Sequence, residues 1–146
     1  AMIPNHDIEL AKYIDECRNK PFAWGSHDCL TFAAGCVYVQ TGRATLSDML
    51  GDYTCPMSAL IHARRRIKQL DYPSDVSITD ALDERLNRVE TPYPARGSIT
   101  ARRSDQQHSV TGYALGVCLR RHSAFLYETG MVFLDREPDD LYWSVE

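Results

Sequence analysis

Positive charge is scarce in this sequence: sixteen Lys+Arg face twenty Asp+Glu, a formal net charge of −4. That balance argues against a dedicated nucleic-acid binder or a binder of anionic membranes, both of which are normally basic. Long hydrophobic runs are missing as well. The longest nearly unbroken apolar stretch, Cys29 to Val39, is far short of the roughly 20 residues a bilayer helix requires. There is no Gly-rich phosphate loop. The five cysteines are odd in number, include no CxxC pair and form no His/Cys cluster with zinc spacing. They read as thiols of a reducing compartment, not as a disulfide framework. No metal and no cofactor is expected. Asn5-His6-Asp7 leads into a polar amphipathic stretch, unlike a signal peptide. Ala1 before Met2 reads as extraneous, so the expectation is one domain over residues 2–146.

What is present suits a packed protein. Hydrophobic residues make up 44% and charged residues 25% of 146, and a chain of this length buries roughly two-thirds of its extended surface. The first half has helical spacing. Leu10, Tyr13, Ile14 and Cys17 share one face over His6–Arg18, with Ile8 opposite, Asn5 as N-cap and Pro21 closing the segment. After the aromatic turn Pro21-Phe22-Ala23-Trp24-Gly25, a helix is predicted over Cys29–Val39. Its apolar residues go nearly all round, as in a buried central helix, and Thr41-Gly42 stops it. Pro56 suits the first position of a further amphipathic helix with Met57, Leu60, Ile61, Ile67 and Leu70. Arg64-Arg65-Arg66 reads as its solvated face. Ser77-Ile78-Thr79-Asp80 resembles a capping box for a helix carrying Ala81, Leu82, Leu86 and Val89. Thr91-Pro92-Tyr93-Pro94 is a stiff connector.

Beyond Gly97 the period shortens. Residues 98–101, 110–119, 124–127, 131–134 and 141–145 read as strands, with Arg103–Ser109 as a polar loop. Asp135, Glu137, Asp139 and Asp140 lack calcium-loop spacing and read as a surface acidic loop. Tyr142 and Trp143, like Trp24, read as core or cleft wall. Helices first and strands second predict an α+β protein, with the central helix packed on a C-terminal antiparallel meander.

The chemistry centres on Phe22-Ala23-Trp24-Gly25-Ser26-His27-Asp28-Cys29. It places Cys29 in the first turn of the buried helix, where free amides carry partial positive charge and favour a thiolate. Asp28 opposes this unless its side chain turns away to cap the helix. A cysteine in an apolar helix is more often packing than nucleophile, and Cys17, Cys36, Cys55 and Cys118 are read as packing. His27, two residues before Cys29, is the nearest imidazole in sequence; His6 and His62 read as solvated.

Pro21-Phe22-x-Trp24-Gly25-x-x-Asp28-Cys29, followed by an apolar helix ending Thr41-Gly42, resembles the NlpC-like branch of papain-fold cysteine hydrolases. More narrowly, it resembles small phage and prophage proteins found among tail genes. Gly51-Asp52-Tyr53 is similar to that group's middle segment. Arg96-Gly97-Ser98 stands where the group usually has Arg-Gly-Asp, and Ala114-Leu115-Gly116-Val117-Cys118 resembles the strand that begins with the catalytic histidine in active members. The resemblance implies a papain-like, NlpC-like α+β fold and carries the nucleophile over to Cys29. Trp24, His27, Asp28 and Ala114 would line the site. Ala114 stands in the base's position and Leu126 near that of the third, orienting residue; neither offers a proton acceptor.

Replacement bases are distant along the strands. His108, six residues before Ala114, lies roughly 20 Å away at about 3.3 Å per residue, and His122 is similarly remote. Two function classes follow. One is a tail-assembly or tail-tip protein that keeps the fold and lacks hydrolase activity. Its partners would be phage tail proteins and its location the bacterial cytoplasm during assembly or the virion tail. The other is an active peptidase or amidase acting on peptidoglycan with Cys29 as nucleophile. A regulatory or toxin-related domain of a prophage remnant is a third. No nucleic-acid or membrane partner is expected.

Overall fold

A computed structural model describes residues 2–104 and 112–146. Helix α1 (His6–Arg18) buries Leu10, Ile14 and Cys17 and leaves Ile8 52% exposed, as the wheel predicts. Asn5 occupies the N-cap position without capping. Its backbone is left-handed (φ 62°) and its side chain makes no cap hydrogen bond, so the expected cap is corrected.

Helix α2 runs Cys29–Thr41, two residues beyond the expected end, and stops at Gly42 with φ +71°. Phe32, Ala33, Cys36 and Val37 are fully enclosed. Gly35 lets α1 approach: a Cβ there would lie 1.9 Å from the Tyr13 hydroxyl. The Tyr13 ring stacks on Phe32 with centroids 6.0 Å apart. Burial, with Cys17 nearby, pushes the Tyr13 hydroxyl well above the usual phenol range.

Helix α3 (Pro56–Gln69) has Pro56 at its start, and Ala59 is its one buried residue. The Cys55 sulfur, expected in the core, is instead exposed and caps this helix by accepting from the Ser58 amide at 3.5 Å. Helix α4 (Ile78–Arg85) carries the expected capping box, the Ser77 hydroxyl accepting from the Asp80 amide and the Asp80 carboxylate from the Ser77 amide. It ends sooner than the apolar spacing suggests. Asn87–Val89 form strand β1, because they find a partner in the last strand and the ladder outweighs helical spacing. Arg85 grips Asp48 of a short 3₁₀ turn (Ser47–Met49) through two hydrogen bonds, 3.1 and 2.6 Å, and holds its carboxyl below the usual range.

The remaining strands are β2 (Ile99–Arg103), β3 (Tyr113–Cys118), β4 (His122–Tyr127), β5 (Gly130–Asp135) and β6 (Leu141–Ser144). They form one six-stranded antiparallel sheet with β1, in the order β1-β6-β2-β3-β4-β5. Strands β2 to β5 are the expected meander. Strand β6 departs from it by returning to lie between β1 and β2. The protein is therefore α+β. Side chains alternate across the sheet. Ile99, Ala101, Leu115, Val117, Ala124, Leu126 and Trp143 join the α1–α2 core.

The opposite face holds Arg102, whose guanidinium lies 4.9 Å over the Phe125 ring and pairs with buried Asp140 at 2.9 and 2.8 Å. Asp140 thus leaves the expected surface loop, because Arg102 and the Glu137 amide supply partners for a buried carboxylate. Among the described residues, no helix is long and apolar enough to cross a membrane.

Candidate functional site

The loop before α2 is shaped by Gly25. Ala23 and His27 form a short bridge, their amides and carbonyls paired at 3.0 and 2.7 Å, and the chain turns through Gly25 at φ +84°. Asp28 then turns back as the N-cap. One carboxylate oxygen accepts from the Thr31 amide at 2.9 Å and the other from the Gly25 amide at 2.8 Å. Thr31 completes the box by accepting from the Asp28 amide at 2.8 Å. Burial, with the Asp28 carboxylate nearby, raises the Tyr53 hydroxyl well beyond the usual phenol range. Asp28 is 2% exposed and fully engaged.

Cys29 begins α2. The residue is half-buried, yet loss of hydration at the sulfur is the largest influence on its thiol, which is pushed up to about 11. The Leu115 amide and the amides of Cys29 and Leu30 pull the other way, while the Asp28 charge adds to the rise. Desolvation outweighs the helix terminus, so the thiol is protonated at neutral pH.

Cys29 opens onto a cavity of about 320 Å³. Trp24, Asp28 and Tyr53 line it around α2, Tyr113 and Leu115 from β3, and Ala59, Leu60, Ala63 and Ile67 of α3 from above. Trp24 stands edge-on to Phe22 at 5.1 Å and to Tyr53 at 6.5 Å.

His27 and Ala114, expected to line the site, are not among the residues that line this cavity. The His27 ring points to α1, its Nε2 3.0 Å from the Cys17 carbonyl. Ala114 is paired with Arg102 across the sheet and so shares the face turned away from α2. The residues of β3 that line the cavity with Cys29 are Tyr113 and Leu115, one position to either side. Leu126 shares the α2 face, fully buried in the core.

His62, read as solvated, lines the cavity instead. Its Nε2 is 3.2 Å from the Met49 carbonyl and its ring lies 5.4 Å from that of Tyr53. His122 is at 3.2 Å from Asp135, and His108 lies outside the described residues. No group of three or more metal-ligating side chains is found among the described residues.

Sequence reasoning missed Tyr113, Leu115 and the α3 wall. No local signal marked the first two, since β3 is apolar on both faces, with Ala114 and Cys118 alternating with Leu115 and Val117.

Fold and site together define the class: an α+β protein in which the N-terminal cysteine of a central helix faces an aromatic-lined cavity beside an antiparallel sheet. The chain belongs to the family described as a domain of unknown function, DUF6950, whose model matches residues 1–145. No curated protein and no solved structure matches it.

Proposed function

We propose that this protein is an assembly or tip component of a phage or prophage tail, built on a papain-like, NlpC-like fold and without hydrolase activity. It would act by binding tail proteins in the bacterial cytoplasm during assembly and could remain in the virion tail. One observation carries the non-catalytic reading: the β3 residues that line the cavity with Cys29 are Tyr113 and Leu115, neither an imidazole, and His62, the histidine that does line it, has its Nε2 turned to the Met49 carbonyl at 3.2 Å. Without a general base, acyl transfer loses a typical factor of about 10²–10⁴. The protonated thiol supports the same reading, because the thiolate is the nucleophile.

Pull-down against neighbouring tail proteins tests the assembly role. The expected result is a specific complex that survives Cys29→Ala. Loss of all tail partners under these conditions would count against it.

A second reading, a cysteine peptidase or amidase acting on peptidoglycan, is favoured by one feature: Cys29 lies in the first turn of α2, open to a cavity. Turnover of peptidoglycan fragments by the unmodified chain, abolished in Cys29→Ala, would establish that reading in place of the first.

A further inference from the structure

We infer that the cavity beside Cys29 seats an apolar anchor side chain carried by an acidic protein segment, held from above by the arginines of α3. The inference rests on the partner-binding role proposed above and names the chemistry of the partner.

The volume, about 320 Å³, lies at the small end of the range for ligand pockets, about 300–1,000 Å³. Its walls are mostly aliphatic and aromatic. Four charged residues line it: Asp28, Arg64, Arg66 and Arg85. Two of them are spoken for. Asp28 already accepts from Gly25 and Thr31, and Arg85 is bound to Asp48 and the Tyr72 hydroxyl. That leaves Arg64 and Arg66 at the cavity without a salt bridge among the described residues, Arg66 contributing only at longer range to the field on Asp48. The hydrogen bond Arg66 makes is a long one, 3.4 Å to Gln69.

The surrounding helix extends the same charge. Residues Pro56–Gln69 include Arg64, Arg65, Arg66 and Lys68 and no acid, in a chain whose net charge is −4. Among the described residues, no salt bridge engages any of these four cations. Beside them, Met57 and Ile61, one turn apart, are 66% and 42% exposed. A partner that complements this face needs carboxylates for the cations and an apolar side chain for the hollow beneath them. Such an anchor is the usual energetic centre of an interface, with charges at the rim setting orientation and association rate. The negative charge of the whole molecule works against an extended polyanion such as nucleic acid.

Short random peptides displayed on phage, selected on the full chain, provide the probe. Binding of each recovered peptide is then measured by fluorescence anisotropy. The peptides should carry Asp or Glu beside Leu, Ile, Phe or Trp. Their affinity should fall at least about tenfold, equivalent to about 1.4 kcal/mol, in Arg64→Glu/Arg66→Glu, which alters only partly exposed side chains. Ala63→Trp, which fills the cavity, should weaken them as much. Recovery of no peptide, or of neutral or basic ones, overturns the proposal. So does unchanged affinity in the charge-reversal variant, or equal competition by a DNA oligonucleotide or by phosphatidylglycerol vesicles.

Cys29→Ala separates the two readings. Peptides cleaved by the native chain but not by this variant would overturn the non-catalytic reading and leave the docking site standing. Absence of both binding and cleavage would overturn the docking site alone.

Discussion

The Cα of Gly25 sits against the Tyr53 carbonyl so closely that a Cβ would lie 2.0 Å from that oxygen. This contact ties the loop before α2 to the middle segment at Gly51-Asp52-Tyr53, two stretches that the sequence presents as separate motifs. Tyr53 and the N-cap Asp28 line the same cavity, so cap, turn and cavity wall meet there.

Gly25→Ala should therefore cost at least about 2 kcal/mol, from a left-handed φ and a backbone clash together. For a protein of this size that is a drop of about 4–8 °C in melting temperature. Gly130→Ala is the control. Its φ is +120° but nothing lies within 4 Å of the added carbon, so a smaller loss is expected. Equal losses by calorimetry would mean that the Tyr53 contact contributes nothing.

Cys55 should be the first thiol to react. It is exposed, and hydrogen bonds from Ser58 hold its pKa below that of an ordinary thiol. Iodoacetamide labelling followed by mass spectrometry should give a fast phase on Cys55 that vanishes in Cys55→Ser. Cys29 should follow only at strongly alkaline pH, with a midpoint near 11. In Asp28→Asn that midpoint should fall, since the neighbouring carboxylate charge is removed while a cap is retained. Fast labelling of Cys29 near pH 6 would contradict the assignment.

Stability should decline on the alkaline side. Burial pushes the thiols of Cys29 and Cys118 up to about 11 from 9.0. Between those values the unfolded chain has lost these protons and the native chain keeps them. The native state binds more protons, so unfolding free energy falls as pH rises, by about 1.4 kcal/mol per pH unit for each fully shifted group. The contribution is complete below about pH 9 and exhausted above about 11. Urea unfolding across this window should show the decline, with a shallower slope in Cys118→Ala. An unchanged slope would show that Cys118 titrates freely.

Removing one partner of the Arg102–Asp140 pair should be severe. Their side chains are 11% and 1% exposed, and an uncompensated buried charge costs about 3–5 kcal/mol. Arg102→Met is expected to fall in that range by urea unfolding. Arg102→Met/Asp140→Leu, which removes both charges, should recover most of the loss. If the double variant is no better than the single one, the cost lies in packing against Phe125.

Much of the architecture was legible. The 3.6-residue spacing in His6–Arg18 and the all-round apolar character from Cys29 each predicted an element that the structure contains. Local chemistry also predicted Gly42 as the stop of α2, Pro56 at the start of α3 and the Ser77 cap of α4. These are short-range effects, decided by a residue's φ preference or by a side chain reaching its own backbone.

The site was less legible. Cys29 at a helix start follows from its neighbours in sequence, but its protonation does not. Local amides favour the thiolate, whereas burial at the packing of α2 on β3, distant in sequence, favours the thiol and prevails. The strand position facing the sulfur was also out of reach. Period-two alternation moves every side chain to the other face on a one-residue shift, so only the pairing of Ala114 with Arg102 shows that Tyr113 and Leu115 face α2.

The amino-acid sequence by itself thus determined most of the helices and strands, though not β1 at Asn87–Val89, and where the Cys29 sulfur sits along the chain. Only tertiary structure decided what surrounds that atom, because solvation and strand register depend on contacts between segments that no local preference encodes.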